Sequence, residues 1–116
     1  RQMCIRDSAG VNRGGDMAKG YWVAHVDVDD VERYKDYIAA NAEPFRAHGA
    51  RFVVRGGRFT CVEGNSRSRH VVIEFPSYEQ ALACYHSPAY QAAVALRAPV
   101  SVADIVVIEG YDGPQP

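Results

Sequence analysis

Residues 49–63 read GARFVVRGGRFTCVE, and this stretch decides how the chain folds. Valine, phenylalanine and threonine are dense enough for a β-strand, while Gly56-Gly57 breaks the alternation without forming a polar loop. We predict one long strand that bends at the glycines, because a residue without a Cβ can turn the chain while pairing continues. A two-residue hairpin turn at Arg55–Arg58 is the alternative. A further turn is predicted at Gly64–Ser68.

Strand and helix patterns alternate on either side of this stretch. Alternating apolar residues predict strands at 20–28, 69–75 and 103–109, the first with Trp22 on its core face. Apolar residues three or four apart predict a helix from Asp29, capped by Asp29 and Glu32 and ended by Gly49. Pro44 predicts a kink or a restart of this helix near 41–43. Two more helices are predicted after the caps Ser77 and Ser87, the second covering 88–97.

The order strand, helix, strand, strand, helix, strand predicts an α+β fold. It is the ferredoxin-like βαββαβ arrangement, with a four-stranded antiparallel sheet and the helices on one face. We expect residues 1–16 to be a disordered leader before a natural start at Met17, residues 17–112 to form a single domain and residues 113–116 to be a tail.

The sheet face away from the helices, called the outer face below, is predicted to carry a mixture of apolar and polar side chains. These are Val23, Val53, Val72 and Val107, beside His25, Arg55, His70, Glu74 and Glu109. Such a face is too apolar for water over its full extent. We therefore predict a two-fold homodimer in which the outer faces of two copies pack together.

Composition excludes several classes of partner. The net charge is −1 and no basic run is present, so nucleic acid is not an expected partner. No apolar run is long enough to span a bilayer and no signal peptide is recognisable, which predicts no membrane partner and a cytoplasmic location. Cys4, Cys61 and Cys84 lack zinc-ligand spacing, and we expect the last two to be buried free thiols.

The chain also resembles a known family. It contains, in this order, KGYWVAHVDVDD, YKDYIAANAEPF, HGARFVVRGG, VVIEFPSYEQALACYHSPAYQAA and DIVVIEG. Together these segments resemble a family of short bacterial proteins, domain-of-unknown-function family 1330, over about Lys19–Gly110. That family belongs to the dimeric α/β-barrel superfamily, so the resemblance implies the ferredoxin-like fold and the dimer. It implies no particular reaction, since superfamily relatives include cofactor-independent monooxygenases of polyketide quinols, small isomerases and haem-handling enzymes.

Candidate site residues are polar side chains of one sheet face and aromatic side chains near the helices. As catalytic residues we predict Arg55, which would hold a carboxylate or enolate oxygen, and His25 or His70, which would move a proton. The predicted ligand-binding residues are Trp22, Tyr37, Glu74, Tyr85 and Tyr90. The alternative is structural: the arginine and glutamates pair across strands or across the dimer, and the tyrosines belong to the core.

Two functions follow from these residues. The first is a cofactor-independent oxygenase or isomerase acting on a small aromatic or enolisable compound. The second is a non-catalytic dimeric module that binds a small molecule or a partner. No cofactor and no metal are expected, because no HxH, HxxxH or glycine-rich phosphate loop before a helix is present.

Overall fold

The sheet is built around its first strand, β1, in the computed structural model, which describes residues 18–116. All pairings are antiparallel and the strand order is β2-β3-β1-β4. The strands are β1 (Gly20–Val28), β2 (Arg51–Arg55), β3 (Arg69–Phe75) and β4 (Ser101–Glu109). The helices are α1 (Val31–Ala47), α2 (Tyr78–His86) and α3 (Pro88–Arg97), with a 3-10 turn at Ala98–Val100. The predicted ferredoxin-like α+β fold is confirmed; the predicted leader, with Cys4, lies outside the described residues.

The core is an aromatic cluster around Trp22, on the sheet face that the helices cover, called the inner face below. Trp22 is 1% exposed and makes edge contacts with Phe45 and Tyr90 at ring-centroid distances of 5.2 and 4.9 Å. Its indole N–H donates to the carbonyl of Ala81 at 2.8 Å, so the one polar atom of the side chain is satisfied. This cluster fixes the helices on the sheet.

The first helix begins one residue later than predicted. Asp30 is the N-cap, and its carboxylate accepts a hydrogen bond from the backbone N–H of Arg33 at 3.1 Å. Asp29 instead donates its backbone N–H to the carbonyl of Val100 at 2.7 Å. That long-range bond is invisible in the local sequence, and the predicted capping pair of Asp29 and Glu32 is therefore wrong.

For α1 we predicted a kink or a restart near 41–43, and the restart is wrong. The helix continues through Pro44 to Ala47, and Gly49 follows with φ +73°, as the predicted stop requires. Pro44 is buried, and its carbonyl still accepts the backbone N–H of His48 at 3.2 Å. Proline removes one helical hydrogen bond, and tertiary packing near the helix end outweighs that loss.

The serine caps of the other helices are confirmed. The Ser77 hydroxyl accepts the backbone N–H of Gln80 at 3.1 Å. The Ser87 hydroxyl accepts the backbone N–H of Tyr90 at 3.2 Å, and Pro88 opens α3.

The long bent strand predicted for 49–63 is wrong, and so is the tight hairpin alternative. Strand β2 ends at Arg55, Gly56 takes φ +66°, and the connection to β3 runs through residues 56–68 without a strand. The last ladder bond runs from the N–H of Gly56 to the carbonyl of His70 at 2.9 Å. Since the chain leaves the sheet there, Cys61 is exposed and not buried as predicted, whereas Cys84 is buried.

A β-bulge at Val53 changes which face Arg55 occupies. Phe52 lies opposite Ile73, but Val54 lies opposite Val72, so β2 contains one extra residue. Because alternate residues of a strand point to opposite faces, the extra residue moves Arg55 to the inner face. The predicted outer-face position of Arg55 is therefore wrong.

The register of β4 corrects two further placements. Val107 lies opposite Trp22 and Glu109 opposite Gly20, so neither belongs to the outer face as predicted. Val106, opposite Val23, takes that position. Residues 105–108 are apolar without a break, and such a run does not show which of its residues face the helices.

Candidate functional site

A small cavity of about 40 Å³ lies between the inner face of the sheet and helices α1 and α3. Its walls are largely aromatic and aliphatic, with three arginines, two tyrosines and an asparagine among them. The lining residues are Trp22, Ala24, Val26, Tyr34, Tyr37, Ile38, Asn41, Phe45, Phe52, Arg55, Arg69, Val71, Ile73, Arg97 and Ile105. We call it the arginine cavity. Its volume suits a few water molecules or one compact polar group.

The three arginines come from three different elements. Arg55 ends β2, Arg69 begins β3 and Arg97 ends α3. The Nε atoms of Arg69 and Arg97 are buried and meet no hydrogen-bond partner among residues 18–116. Within the same residues none of the three arginines forms a salt bridge. A buried cation without an anion is costly, so this arrangement favours an acidic ligand.

Local backbone features hold these guanidinium groups in place. The bulge at Val53 directs Arg55 inward, where its Cζ lies 4.0 Å from the centroid of the Phe52 ring. A side chain at Gly56 would collide with the guanidinium of Arg69, so the glycine makes room for that arginine. Arg97 is 8% exposed, and its Cζ lies 5.5 Å from the centroid of a tyrosine ring, that of Tyr37.

The tyrosines of this region are neutral hydrogen-bonding groups. The hydroxyls of Tyr37 and Tyr90 are 2.6 Å apart. Burial raises the pKa of Tyr90, and the neighbouring Tyr37 raises it further. Burial also raises the pKa of Tyr34, against the opposite but smaller effect of Arg69 and Arg97. The cavity therefore offers cations and neutral donors, and none of its lining residues within 18–116 is a histidine or a carboxylate.

The predicted ligand-binding residues divide into three groups. Trp22 and Tyr37 line the cavity. Tyr90 and Tyr85 lie behind this lining, with ring centroids 4.9 and 5.7 Å from that of Trp22. Glu74 lies on the outer face, where it accepts hydrogen bonds from the Tyr21 hydroxyl at 3.0 Å and from Arg51 at 3.2 Å.

Of the predicted catalytic residues, the structure brings His25 and His70 together but separates them from Arg55. His25 and His70 lie opposite each other on the outer face, with their Nδ1 atoms 2.8 Å apart, while Arg55 lies on the inner face. The Nε2 of His70 is 3.0 Å from the Ser66 hydroxyl, so both rings are held by local contacts. The described residues contain no group of three histidine, cysteine or acidic side chains that could hold a metal ion.

Sequence reasoning missed four polar residues of the cavity, and two of them left a signal. Arg69 alternates with the core residues Val71 and Ile73 along β3, which predicts the inner face. Arg97 follows Tyr90 and Ala93 at helical spacing. The other two are Tyr34, treated as core, and Asn41. For Arg69 and Arg97 the signal is a charged residue at a position that the strand or helix period assigns to the core.

The fold and the cavity define the class of the protein: a ferredoxin-like α+β domain with a pocket between sheet and helices. The family model described as "Domain of unknown function (DUF1330)" matches residues 19–111, and the chain belongs to this family. Comparison with curated proteins gives no match. None of the helices within residues 18–116 is long and apolar enough to cross a membrane.

Solved structures share the fold at low sequence identity. The RPA0582 protein of unknown function from Rhodopseudomonas palustris is 16% identical with a TM-score of 0.66, over 83% of this chain and 85% of that one. SnoaB, a cofactor-independent oxygenase from Streptomyces nogalater, is 12% identical with a TM-score of 0.54, over 85% and 96%. A dimeric ferredoxin-like protein of unknown function from Thermobifida fusca is 18% identical with a TM-score of 0.52, over 84% and 97%.

Proposed function

We propose that this protein binds a small acidic or enolisable compound in the arginine cavity and acts on it as a cofactor-independent enzyme, an oxygenase or an isomerase. One observation carries the proposal: Arg55, Arg69 and Arg97 converge on an aromatic cavity to which the described part of the chain contributes no carboxylate. Guanidinium groups bind carboxylate and enolate oxygens through charge-assisted hydrogen bonds and remain charged at any working pH. The ligand supplies the negative charge that the protein lacks there.

The chemistry follows from stabilising an anion. When a substrate C–H loses its proton, the charge moves to an enolate oxygen, and nearby guanidinium groups favour this form over the neutral ketone. Because residues 18–116 place no histidine or carboxylate in the lining of the cavity, the proton passes to water, and the arginines act by making the substrate more acidic. Arg55, at the end of β2, is the most exposed of the three arginines.

Two outcomes are open to such an enolate. In an isomerase the proton returns to a different carbon, and no oxidant is needed. In an oxygenase dioxygen oxidises a methylene to a carbonyl: one oxygen atom enters the product, and the other leaves as water with the two hydrogens removed. The fold shared with SnoaB, a cofactor-independent oxygenase, supports the second outcome by analogy.

The second candidate function is a non-catalytic module that binds a small acid. The absence of a histidine or carboxylate from the lining of the cavity favours it, since an efficient enzyme usually positions a base. The proton-transfer role predicted for His25 or His70 is not part of either proposal, because both lie on the opposite face of the sheet.

We also propose that two copies pack through their outer faces. Val54, on the edge strand β2, and Val102, Val106 and Ile108, on the edge strand β4, are each 40–54% exposed there. Together they form an exposed aliphatic surface of the kind that marks an interaction site. The Thermobifida fusca protein of the same fold is dimeric. Helices cover the inner face, so a partner on the outer face leaves the arginine cavity of each copy free for a ligand.

The test uses Trp22, the single tryptophan of the chain, as a reporter inside the cavity. We expect benzoate and acetoacetate to change its fluorescence saturably. Arg69→Met or Arg97→Met should weaken binding about 10- to 100-fold, the usual value of one charge-assisted hydrogen bond. Arg67→Met is the matched control, because Arg67 pairs with Asp27 and Asp104 on the outer face and should leave the affinity unchanged.

Failure to bind any anion, or equal affinity in the inner-face variants, would overturn the proposal. Activity assays distinguish the enzyme from the non-catalytic binding module. Oxygen uptake with quinols, or proton exchange and isomerisation with unsaturated lactones, would identify an enzyme. Tight binding with neither reaction would leave the binding module.

A further inference from the structure

A second concave surface adjoins the arginine cavity. It is a groove of about 400 Å³ between the first half of α1 and the start of the β2–β3 connection. Its lining residues are Val28, Val31, Tyr34, Lys35, Ile38, Gly56, Ser68 and Arg69. We call it the entrance groove. Tyr34, Ile38 and Arg69 line both the groove and the cavity, so the two share a wall.

The two compartments differ in size and chemistry. The cavity is about tenfold smaller than the groove and contains the arginines, whereas the groove presents aliphatic side chains along α1. Val31 is 64% exposed, although it faces a concave surface beside a charged pocket. Lys35 is already paired with Glu32 at 3.1 Å, so Arg69 is the cation that the groove offers to a ligand.

We infer that the ligand is an amphipathic acid: a compact carboxylate or enolate head binds in the arginine cavity, and an apolar body lies along the entrance groove over Val31 and Ile38. This inference rests on the proposed function and adds the substrate class to it. A head group alone fits about 40 Å³, but a flat or aliphatic body does not, and the adjoining groove provides the space. Arg69 stands between the two parts and contacts the acidic end.

Straight-chain carboxylates from acetate to octanoate test this inference, again with Trp22 fluorescence and with calorimetry. Each added methylene that reaches the groove should tighten binding roughly two- to fourfold, as burial of apolar surface predicts. Octanol, which has the same body without the charge, should bind much more weakly than octanoate. In a plot of log affinity against chain length, the value for acetate then measures the contribution of the head, and the slope measures that of the body.

Two variants separate the contribution of the acidic head of the ligand from that of its apolar body. Val31→Ser should leave the affinity for acetate unchanged and weaken octanoate roughly three- to tenfold, because it removes one apolar wall of the groove. Leu96→Ser is the matched control: Leu96 is 42% exposed on α3 and lines neither compartment. Arg69→Met should weaken every acid by the same factor and leave the gain per methylene unchanged.

The possible failures are distinguishable. If acetate binds and depends on Arg69 but octanoate binds no more tightly, the amphipathic ligand is overturned and the proposed function stands. If octanol binds as tightly as octanoate, the placement of the acidic head in the cavity is overturned. If no acid binds to the folded protein, the proposed function itself fails.

Discussion

On the outer face of the sheet Glu74 accepts hydrogen bonds from Tyr21 and Arg51, whereas on the inner face Arg69 and Arg97 hold Nε atoms that meet no acceptor in the described chain. Within the described residues these charges are therefore paired on the outer face, whereas the two Nε atoms have no acceptor in the arginine cavity. An exposed ion pair contributes little to stability or function. A buried cation without an anion is maintained at a cost, and the cost indicates a ligand.

A second set of paired charges lies at the other end of the outer face. Arg67 bridges Asp27 and Asp104, each at 2.8 Å, and the two histidines contact each other. What remains unsatisfied on that face is its aliphatic surface, and a second copy of the chain is the partner we propose for it. The two faces thus lack different things: the inner face lacks an anion, and the outer face lacks apolar contact.

The largest expected effect concerns the outer face. Val106→Glu should dissociate the proposed dimer, weakening self-association by at least about 100-fold, because an unpaired charge would be buried between the sheets. Sedimentation velocity over a range of micromolar concentrations measures the change. Leu96→Glu, an equally polar change on α3, should leave self-association intact. A native chain that sediments as a monomer throughout this range would contradict the proposal.

An intermediate effect is expected at Gly56, directly after β2. Gly56→Ala should lower the free energy of unfolding by about 1–2 kcal/mol, because φ is +66° there and the new methyl group would displace Arg69. Acetate binding should weaken in the same variant. Gly57→Ala is the neighbouring control, since nothing lies within 4 Å of a Cβ at that position. Urea denaturation compares the two, and equal losses would show that Gly56 has no special role.

The smallest effect is a pH dependence of the outer face. The hydrogen bond from Tyr21, and then that from Arg51, holds the pKa of Glu74 below its reference value of 4.5. Its contribution to stability is therefore complete above pH 4.5 and is lost as the pH falls through the lower pKa of the folded state. Glu74→Gln should reduce the loss of stability between pH 7 and pH 3 by about 0.2–1 kcal/mol, the range of exposed ion pairs.

Urea titrations of both proteins at the two pH values measure this difference. Arg97→Met is the control variant, because it removes a charge of the arginine cavity and leaves Glu74 and its partners in place, and it should leave the pH dependence unchanged. A Glu74→Gln variant with the same acid sensitivity as the native chain would show that the pair has no stabilising role.

Much of the fold was predictable because local chemistry decides it. The alternation around Trp22, the serine caps Ser77 and Ser87 and the stop at Gly49 each depend on a few neighbouring residues, and all appear as predicted. The start of α1 was predicted one residue early, because the N–H of Asp29 is bonded to a residue far along the chain.

The candidate site was predictable only in part. Arg55 was identified as an anion-binding residue and Trp22 and Tyr37 as pocket residues, and all three line the cavity. The sequence did not show that Arg55 and the histidines occupy opposite faces. One extra residue in β2 reverses the side on which everything after it points, and neither Val53 nor its neighbours mark the bulge.

By itself, then, the sequence determined the order and type of the elements, because helix and strand periods and caps are encoded within a few residues of each other. The tertiary structure decided which charges meet. The register of β2 against β3 and the packing of α3 on the sheet bring Arg55, Arg69 and Arg97 to one cavity from positions up to 42 residues apart (97 − 55 = 42). That convergence depends on long-range pairing, which no local pattern specifies.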